Sequence, residues 1–299
     1  MKIRFIVNPN AGGTNSTEEV SASVSNLFRN QSGIFEVRAT KSTGHAYKLS
    51  EEARDKGYDI VFACGGDGTI NEVASALVKS DVSLGIIPKG SGNGLARALT
   101  LPWDVDAAIS LALRGKVKRV DVGRVDDRYF FATAGFGFDA LISKIYDSKA
   151  KKSGKRGILP YFPIAMKEFM TYKPQSTKIR YDDKMMRVFP FLLTIANTEQ
   201  YGGNAIIAPG AKPDDGLLDV CVVEDVSPMV ALKLAFNMFK GRVDQLESFK
   251  RVLANTIEIV MEGSNHYVHA DGEPFTSGER VKVSVVPKGL KVLVPKAGA

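Results

Sequence analysis

At 299 residues the chain exceeds one typical domain and predicts two, each able to bury a core. Hydrophobic residues at 44% and charged residues at 24% are ordinary for a globular protein and exclude a disordered or fibrous one. The formal charge of +7 can attract nucleic acid, anionic lipid or nucleotide, but no zinc finger, RNP-like aromatic motif or helix-turn-helix pattern accompanies it, so no nucleic-acid partner is expected.

From the N-terminus, Ile3 to Val7 reads as a buried strand that begins at once, without a signal-peptide pattern. It runs into a turn-rich loop, Asn8-Pro9-Asn10-Ala11-Gly12-Gly13. Ser16-Thr17-Glu18-Glu19 has the form of a capping box, opening a helix with Val20, Val24, Leu27 and Phe28 inward. A strand at Phe35 to Thr40 follows, then a helix from about Thr43 to Gly57. Ile60 to Ala63 is a third buried strand, broken by Gly65, Gly66 and Gly68. Thr69-Ile70-Asn71-Glu72 fits a second capping box, and Ile70, Val73, Ala74, Leu77 and Val78 form the buried face of its helix. Leu84 to Ile87 is a fourth strand, ending in Pro88-Lys89-Gly90-Ser91-Gly92-Asn93-Gly94. Asp104 is the expected N-cap of one more helix, which Gly115 stops.

Strands alternating with helices imply a Rossmann-like parallel sheet with right-handed crossovers, in which ligands bind beyond the carboxyl ends of the strands. All three Gly-rich loops follow strands, so all three can face one crevice. In the central one a helix N-terminus offers unpaired amides and a positive dipole end, which suit phosphate. No Lys-Ser/Thr follows its glycines, so it is not a P-loop, and it is not the GxGxxG dinucleotide fingerprint. A plain strand-to-helix turn would also use glycines but gains little from Asp67, whereas a carboxylate beside phosphates makes sense when Mg2+ lies between them. Asn-Pro and Gly-Ser-Gly, taken singly, are ordinary turn formers.

Beyond about Val125 the pattern changes. Val117 to Val125, Arg128 to Thr133, Ser176 to Tyr181, Arg187 to Ala196, Leu217 to Val223, Asn255 to Met261 and Arg280 to Val286 read as strands. Helices are expected near Asp139 to Lys149, Pro160 to Tyr172 and Pro228 to Phe239. This order predicts an antiparallel β-sandwich, giving an α/β domain over 1–125 and an all-β domain over 126–287. Cys64 and Cys221 lie in separate apolar strands and read as buried thiols of a reducing, cytoplasmic compartment. The histidines and cysteines offer no zinc-like spacing. The longest apolar run, Val188 to Ala196, is too short to span a bilayer, so any membrane contact is expected to be peripheral.

The full string Gly65-Gly66-Asp67-Gly68-Thr69-Ile70-Asn71-Glu72 resembles the nucleotide-binding signature of the diacylglycerol kinase catalytic-domain family, which includes sphingosine and ceramide kinases and bacterial lipid kinases. The resemblance extends to Asn8, Pro9, Asn10, Ala11 and Gly12, to Thr40, and to Gly90, Ser91, Gly92 and Asn93, all of which match nucleotide-facing segments. The Gly-Ser-Gly-Asn form is closer to sphingosine-kinase-like members than to the Gly-Thr-Thr-Asn form of many bacterial diacylglycerol kinases. The family plan also implies a last strand, Leu290 to Val294, returning to the first domain with residues 288–299, and a substrate between the domains.

Two segments of the second half carry chemistry in that plan. In Ala208 to Asp219, otherwise a Pro-Asp-Asp-Gly turn, the resemblance makes Asp215 a ligand of a structural Mg2+ with the carbonyls of Lys212 and Leu217. In His266 to Pro274, otherwise a hairpin turn at Asp271-Gly272, it makes Glu273 the acceptor of the lipid hydroxyl proton, with Asp271 as alternate or helper and Asp67 also considered for that role. His269 reads as a satisfied strand residue. The basic run Lys144, Lys149, Lys151, Lys152, Lys155 and Arg156 is either a solvated face or a contact with an anionic membrane. The resemblance thus implies an ATP- and Mg2+-dependent lipid kinase, with diacylglycerol as leading acceptor and a sphingoid base or ceramide next. NAD kinase and a non-catalytic nucleotide-binding module are the other readings, and a homodimer stays open.

Overall fold

The computed structural model describes residues 1–13, 15–153, 162–224, 227–263 and 266–296, with the side chains of 146–153 and 162–166 outside the described set. The chain divides into two compact units, Met1–Val122 with Pro287–Ala299, and Gly123–Val286.

The first unit is a parallel sheet with helices between its strands. Strands β1 (Lys2–Val7), β2 (Ile34–Ala39), β3 (Ile60–Gly65) and β4 (Ser83–Pro88) alternate with helices α1 (Ser16–Leu27), α2 (His45–Asp55) and α3 (Asp67–Leu77). Helices α4 (Gly94–Ala98) and α5 (Val105–Arg114) follow. The strand order is β2-β1-β3-β4, with Ile3 opposite both Phe35 and Ile60, and Ile60 opposite Ser83. All six residues of β3 and of β4 are buried, as expected of parallel strands covered on both faces. Gly85 is glycine for a packing reason: a Cβ there would lie 2.3 Å from the Phe62 ring, which itself stacks on Phe5 at 4.8 Å. The chain runs out to β2 on one side of β1 and returns to β3 on the other. Such a reversal opens a crevice at the carboxyl ends of the two central strands.

Local signals behaved unevenly here. Asp104 caps α5 by accepting from Ala107 N at 2.8 Å, and Gly115 ends it, as the sequence predicts. Neither capping box forms. Asn15, in a left-handed conformation, precedes α1, and Ser16 Oγ donates to Ala11 O at 2.6 Å, while Glu19 pairs with Lys89 at 2.8 Å. Helix α3 starts two residues before Thr69, with Gly66 as N-cap and no side-chain cap. Both boxes fail because their carboxylates find partners on other segments, which sequence spacing cannot reveal.

The second unit begins within β5 (Lys116–Val125), followed by β6 (Arg128–Phe130), β7 (Thr133–Gly137), α6 (Phe138–Ser153) and α7 (Phe162–Thr171). Then come β8 (Thr177–Tyr181), β9 (Lys184–Val188), β10 (Pro190–Ala196), β11 (Leu218–Glu224) and α8 (Pro228–Lys240). A short 3-10 turn, Val243–Gln245, leads to β12 (Phe249–Ala254), β13 (Thr256–Met261), β14 (His266–Ala270), β15 (Glu273–Ser277) and β16 (Arg280–Val294). One antiparallel sheet has the order β12-β11-β10-β7-β14-β15. In the other, β13 pairs with β8 and with the first residues of β16, and β8 pairs with β9. Phe136, Leu193, Ile195 and Val220 of the first sheet meet Ile179, Ile257, Ile259 and Val281 of the second in one core. This is the expected β-sandwich. A second cluster, including Phe191, Cys221, Val223 and Leu234, covers the opposite face of β10 and β11.

The structure corrects several strand boundaries. The single strand read over Arg187 to Ala196 is two, β9 and β10, parted at Phe189 before Pro190. The strand read over Arg128 to Thr133 is likewise parted, Arg128–Phe130 from Thr133–Gly137. The two strands read over Arg280 to Val294 are one, whose end adds Lys291 and Val292 alongside Ser83 and Leu84 in the first unit. Strand β12 is an addition; only Ala254 of its residues is fully buried, so it carries no strong apolar pattern.

Both cysteines are buried, Cys64 at the end of β3 and Cys221 in β11. Burial pushes the Cys64 thiol up to about 12 and Cys221 higher still. Since the thiolate is the nucleophile, the folded protein is expected to give no reaction with a water-soluble aromatic disulfide at pH 8, and two equivalents after unfolding in guanidinium. Rapid labelling of the folded protein would place a thiol at the surface.

Candidate active site

The crevice at the carboxyl ends of β1, β3 and β4 is built by the three Gly-rich loops, and each is tied to the next. Asn8 Nδ2 donates to Thr69 Oγ1 at 3.1 Å, joining the first loop to the start of α3. Asn8 Oδ1 accepts from Asn10 N at 3.0 Å, folding the first loop back on itself. Lys89 N donates to Gly65 O at 2.9 Å, and the Lys89 stem lies against Gly12, where a Cβ would come within 2.8 Å of it. The second and third loops touch backbone to backbone: a Cβ on Gly90 would sit 2.7 Å from the Gly66 Cα. Here glycine is required by contact rather than by φ. Thr40, at the end of β2, is fixed by its amide to Val7 O at 2.8 Å.

Asp67 is the strut of this arrangement. Its Oδ2 accepts from Asn93 N at 2.8 Å and its Oδ1 from Gly94 N at 2.9 Å. Those amides begin α4, so one carboxylate in the second loop caps a helix in the third. Gly92 is bare because a Cβ there would strike Asp67 Oδ2 at 2.4 Å. Asn93 holds φ 53 and is buried, and its Oδ1 has no hydrogen-bond partner among the described residues. Two cations missed in the sequence stand at the loops. Lys89 pairs with Glu19, and Arg97 donates from Nε to Gly92 O at 2.9 Å while stacking on Trp103 at 4.5 Å. A following strand end and a short helix were their only sequence signals.

Three of the expected nucleotide residues have side chains committed elsewhere. Ile70 is buried in the core, so it offers the crevice only its backbone. Glu72 accepts from Gly44 N at 2.7 Å and Ala46 N at 3.0 Å, capping α2 across 26 to 28 residues of sequence. Asn71 Oδ1 accepts from Ser75 Oγ at 3.2 Å.

In the second unit Asp271 (φ 48) and Gly272 (φ 82) form the tight turn between β14 and β15, the geometry favoured for a two-residue hairpin. The Asp271 carboxylate accepts from Phe131 N at 2.9 Å, Ala132 N at 2.8 Å and Thr133 N at 3.2 Å. It therefore pins the turn to the segment joining β6 and β7. Glu273, opposite Ala270 on the next strand, is exposed. Below the turn His269 is buried as a strand residue: its Nδ1 accepts from Gly272 N at 3.2 Å, which leaves the ring proton on Nε2. That nitrogen lies 3.1 Å from Asp139 Oδ1, off the line of a hydrogen bond. Asp139 Oδ2 in turn accepts from Thr194 Oγ1 at 2.9 Å and Tyr201 Oη at 3.0 Å. Burial, and then the Asp139 charge, hold the Tyr201 phenol well above its usual range. The same unit contains a cavity of about 330 Å³ lined by Phe136, Leu141, Leu193 and Met261 together with Lys173, Glu262 and His266.

The expected metal segment is a turn in which Leu217 N donates to Asp215 Oδ1 at 3.1 Å. Asp219 follows, ion-paired to Arg251. Burial raises the Asp219 carboxyl and the Asp215 charge raises it further, while Arg251 opposes both. Among the described residues no cluster of three or more His, Cys, Asp or Glu is present. Asp215 is exposed, and carboxylate and carbonyl oxygens are the donor type that Mg2+ takes.

The side chains of the basic run at Lys149 to Arg156 lie outside the described set; of that group only the Lys144 side chain is described, and its ammonium lies 3.7 Å from the centre of the Tyr267 ring.

Residues 2–125 match the diacylglycerol kinase catalytic domain, and residues 132–294 match the YegS C-terminal NAD kinase beta sandwich-like domain. A diacylglycerol kinase of Mycobacterium tuberculosis is 30% identical across 99% of this chain and 96% of its own. One of Bacillus subtilis is 29% identical across 100% and 98%. A candidate diacylglycerol kinase of Bacillus anthracis, known from its crystal structure, aligns with TM-score 0.81 and 26% identity over 100% of this chain and 96% of that one. Matched domains from end to end, and relatives at this identity along nearly the whole length, go beyond a shared fold: the chain belongs to the diacylglycerol kinase catalytic-domain family of lipid kinases.

Proposed function

We propose that this kinase moves the γ-phosphoryl group of ATP onto the primary hydroxyl of diacylglycerol, giving phosphatidic acid. The observation that carries the ATP half is the knitting of three Gly-rich loops around Asp67 at the switch point of a parallel sheet. Backbone from Asn8 to Gly12, Gly65 to Thr69 and Gly90 to Asn93 lines the crevice there, beside the uncapped start of α3. Amides and a helix N-terminus favour a polyphosphate. Bound Mg2+ would neutralise charge on the transferring group. Asp67 keeps the second and third loops in register for that group, and a separate Mg2+ at Asp215 would brace the loop that leads into β11.

For the acceptor, the support is the naming of the relatives together with the chemistry of the second unit. Glu273 takes the hydroxyl proton, and Asp271 holds the Glu273 turn in place through three amides. The cavity beside Phe136 and Met261 is mixed in character, and its apolar side offers part of an acyl chain a wall to lie against. Labelled ATP offered with diacylglycerol, sphingosine, ceramide or NAD tests the reading. Label should appear in the diacylglycerol lane, require Mg2+ and vanish with a chelator. Transfer to NAD alone, or no consumption of ATP with any acceptor, would overturn it.

A further inference from the structure

Helix α8 is amphipathic twice over. Its inner stripe, Val230, Leu234 and Met238, recurs every four residues; Leu234 and Met238 pack with Val243 and Cys221 against the sheet. Its outer stripe is also apolar. Met229 is 63% exposed, Leu232 68%, Phe236 63% and Phe239 62%, so four large side chains stand in water on one face. At 100° per residue the four fall within an arc of about 80°, opposite the inner stripe. The helix is firmly framed rather than frayed: Ser227 caps it by accepting from Val230 N at 3.3 Å, Pro228 opens it, and Gly241 at φ 64 ends it. A contiguous exposed patch of this kind marks an interaction surface.

Charge selects the occupant. Lys233 and Lys240 flank one edge of the outer stripe, with Arg242 just beyond, and no acidic residue lies between Ser227 and Val243. The Lys240 ammonium stands 5.7 Å from the Phe236 ring centre, the arrangement of a cation beside an aromatic at a polar–apolar boundary. Among the described residues no helix is long and apolar enough to cross a membrane. We propose that the outer face of α8 docks on the anionic surface of a lipid bilayer, Met229, Leu232, Phe236 and Phe239 entering the interface while Lys233 and Lys240 meet the headgroups. Preferring a bilayer to a protein partner rests on the lipid-kinase reading, since the acceptor resides there.

The test is co-sedimentation with vesicles of phosphatidylcholine alone, and of phosphatidylcholine with phosphatidylglycerol, at low and high salt. Wild type should bind the anionic vesicles and release as salt rises. Leu232→Ser/Phe236→Ser/Phe239→Ser should lower that partition about tenfold or more. Lys233→Gln/Lys240→Gln should lower it on anionic vesicles and leave neutral ones unchanged. All five side chains are solvent-facing or flank the stripe, so melting temperature and phosphorylation of a short-chain, water-soluble diacylglycerol should hold in both variants. Vesicle binding is read directly, so it stands or falls apart from any lipid phosphorylation. Equal binding by wild type and the triple variant would overturn the proposal. So would a wild-type dimer that the triple variant splits into monomers with vesicle binding intact, because the face would then join two copies of the chain.

Discussion

Asp67→Asn is expected to lower phosphoryl transfer at least about a hundredfold, the scale of one lost electrostatic contact at a reacting phosphate. Sequence considerations alone would leave stability untouched, since asparagine begins a helix as well as aspartate does. The geometry changes that expectation. Both carboxylate oxygens of Asp67 accept backbone amides, from Asn93 and Gly94, and an asparagine side chain can offer only one acceptor. Its NH2 end would face an N–H, so the variant should also lose about 1.5–3 kcal/mol, the range for a hydrogen bond to a charged group. Urea unfolding, ATP binding and turnover measured together separate the two roles. Weakened ATP binding with lowered stability would mark a loop strut; full turnover despite lowered stability would remove Asp67 from the chemistry.

Glu273→Gln is expected to lower turnover about a hundredfold or somewhat more with ATP affinity unchanged. The transition state of phosphoryl transfer is loose, so the hydroxyl proton moves late and the base contributes modestly. Because Glu273 is exposed at the start of β15, the variant should unfold at the same urea concentration as wild type. Asp271→Asn should behave in the opposite way. Three amides converge on that carboxylate, so its loss should cost stability on the order of 1.5–3 kcal/mol and disturb the turn carrying Glu273. An inactive Asp271→Asn protein of wild-type stability, beside a working Glu273→Gln, would transfer the base to Asp271. Normal turnover in both would reduce Asp271-Gly272-Glu273 to a hairpin turn.

These two carboxylates mark the division between what the chain spells out and what folding adds. Sequence by itself determined the elements whose causes lie within a few residues. Ile60 to Ala63 and Leu84 to Ile87 are continuous apolar runs, and each is a buried parallel strand. Asp104 caps its helix because the donating amide is three residues away, and Asp271-Gly272 turns because those residues tolerate positive φ. The loop positions were legible for the same reason, since glycines after strands are punctuation that needs no partner.

Only the tertiary structure decided where the carboxylates point. Glu72 is spaced to cap its own helix but caps α2, and Glu19 reaches Lys89, 70 residues distant. A short charged side chain takes the nearest unpaired donor in space, and three-residue spacing predicts that donor only when nothing closer arrives from another segment. Helix α4 shows the same effect from the other side. Five residues are too few to nucleate a helix alone, and it forms where Asp67 supplies the missing acceptor at its first amides. The exposed face of α8 was also hidden in sequence, because an apolar residue at helical spacing reads as core until the fold shows that Leu234 and Met238, on the opposite face, already fill that role.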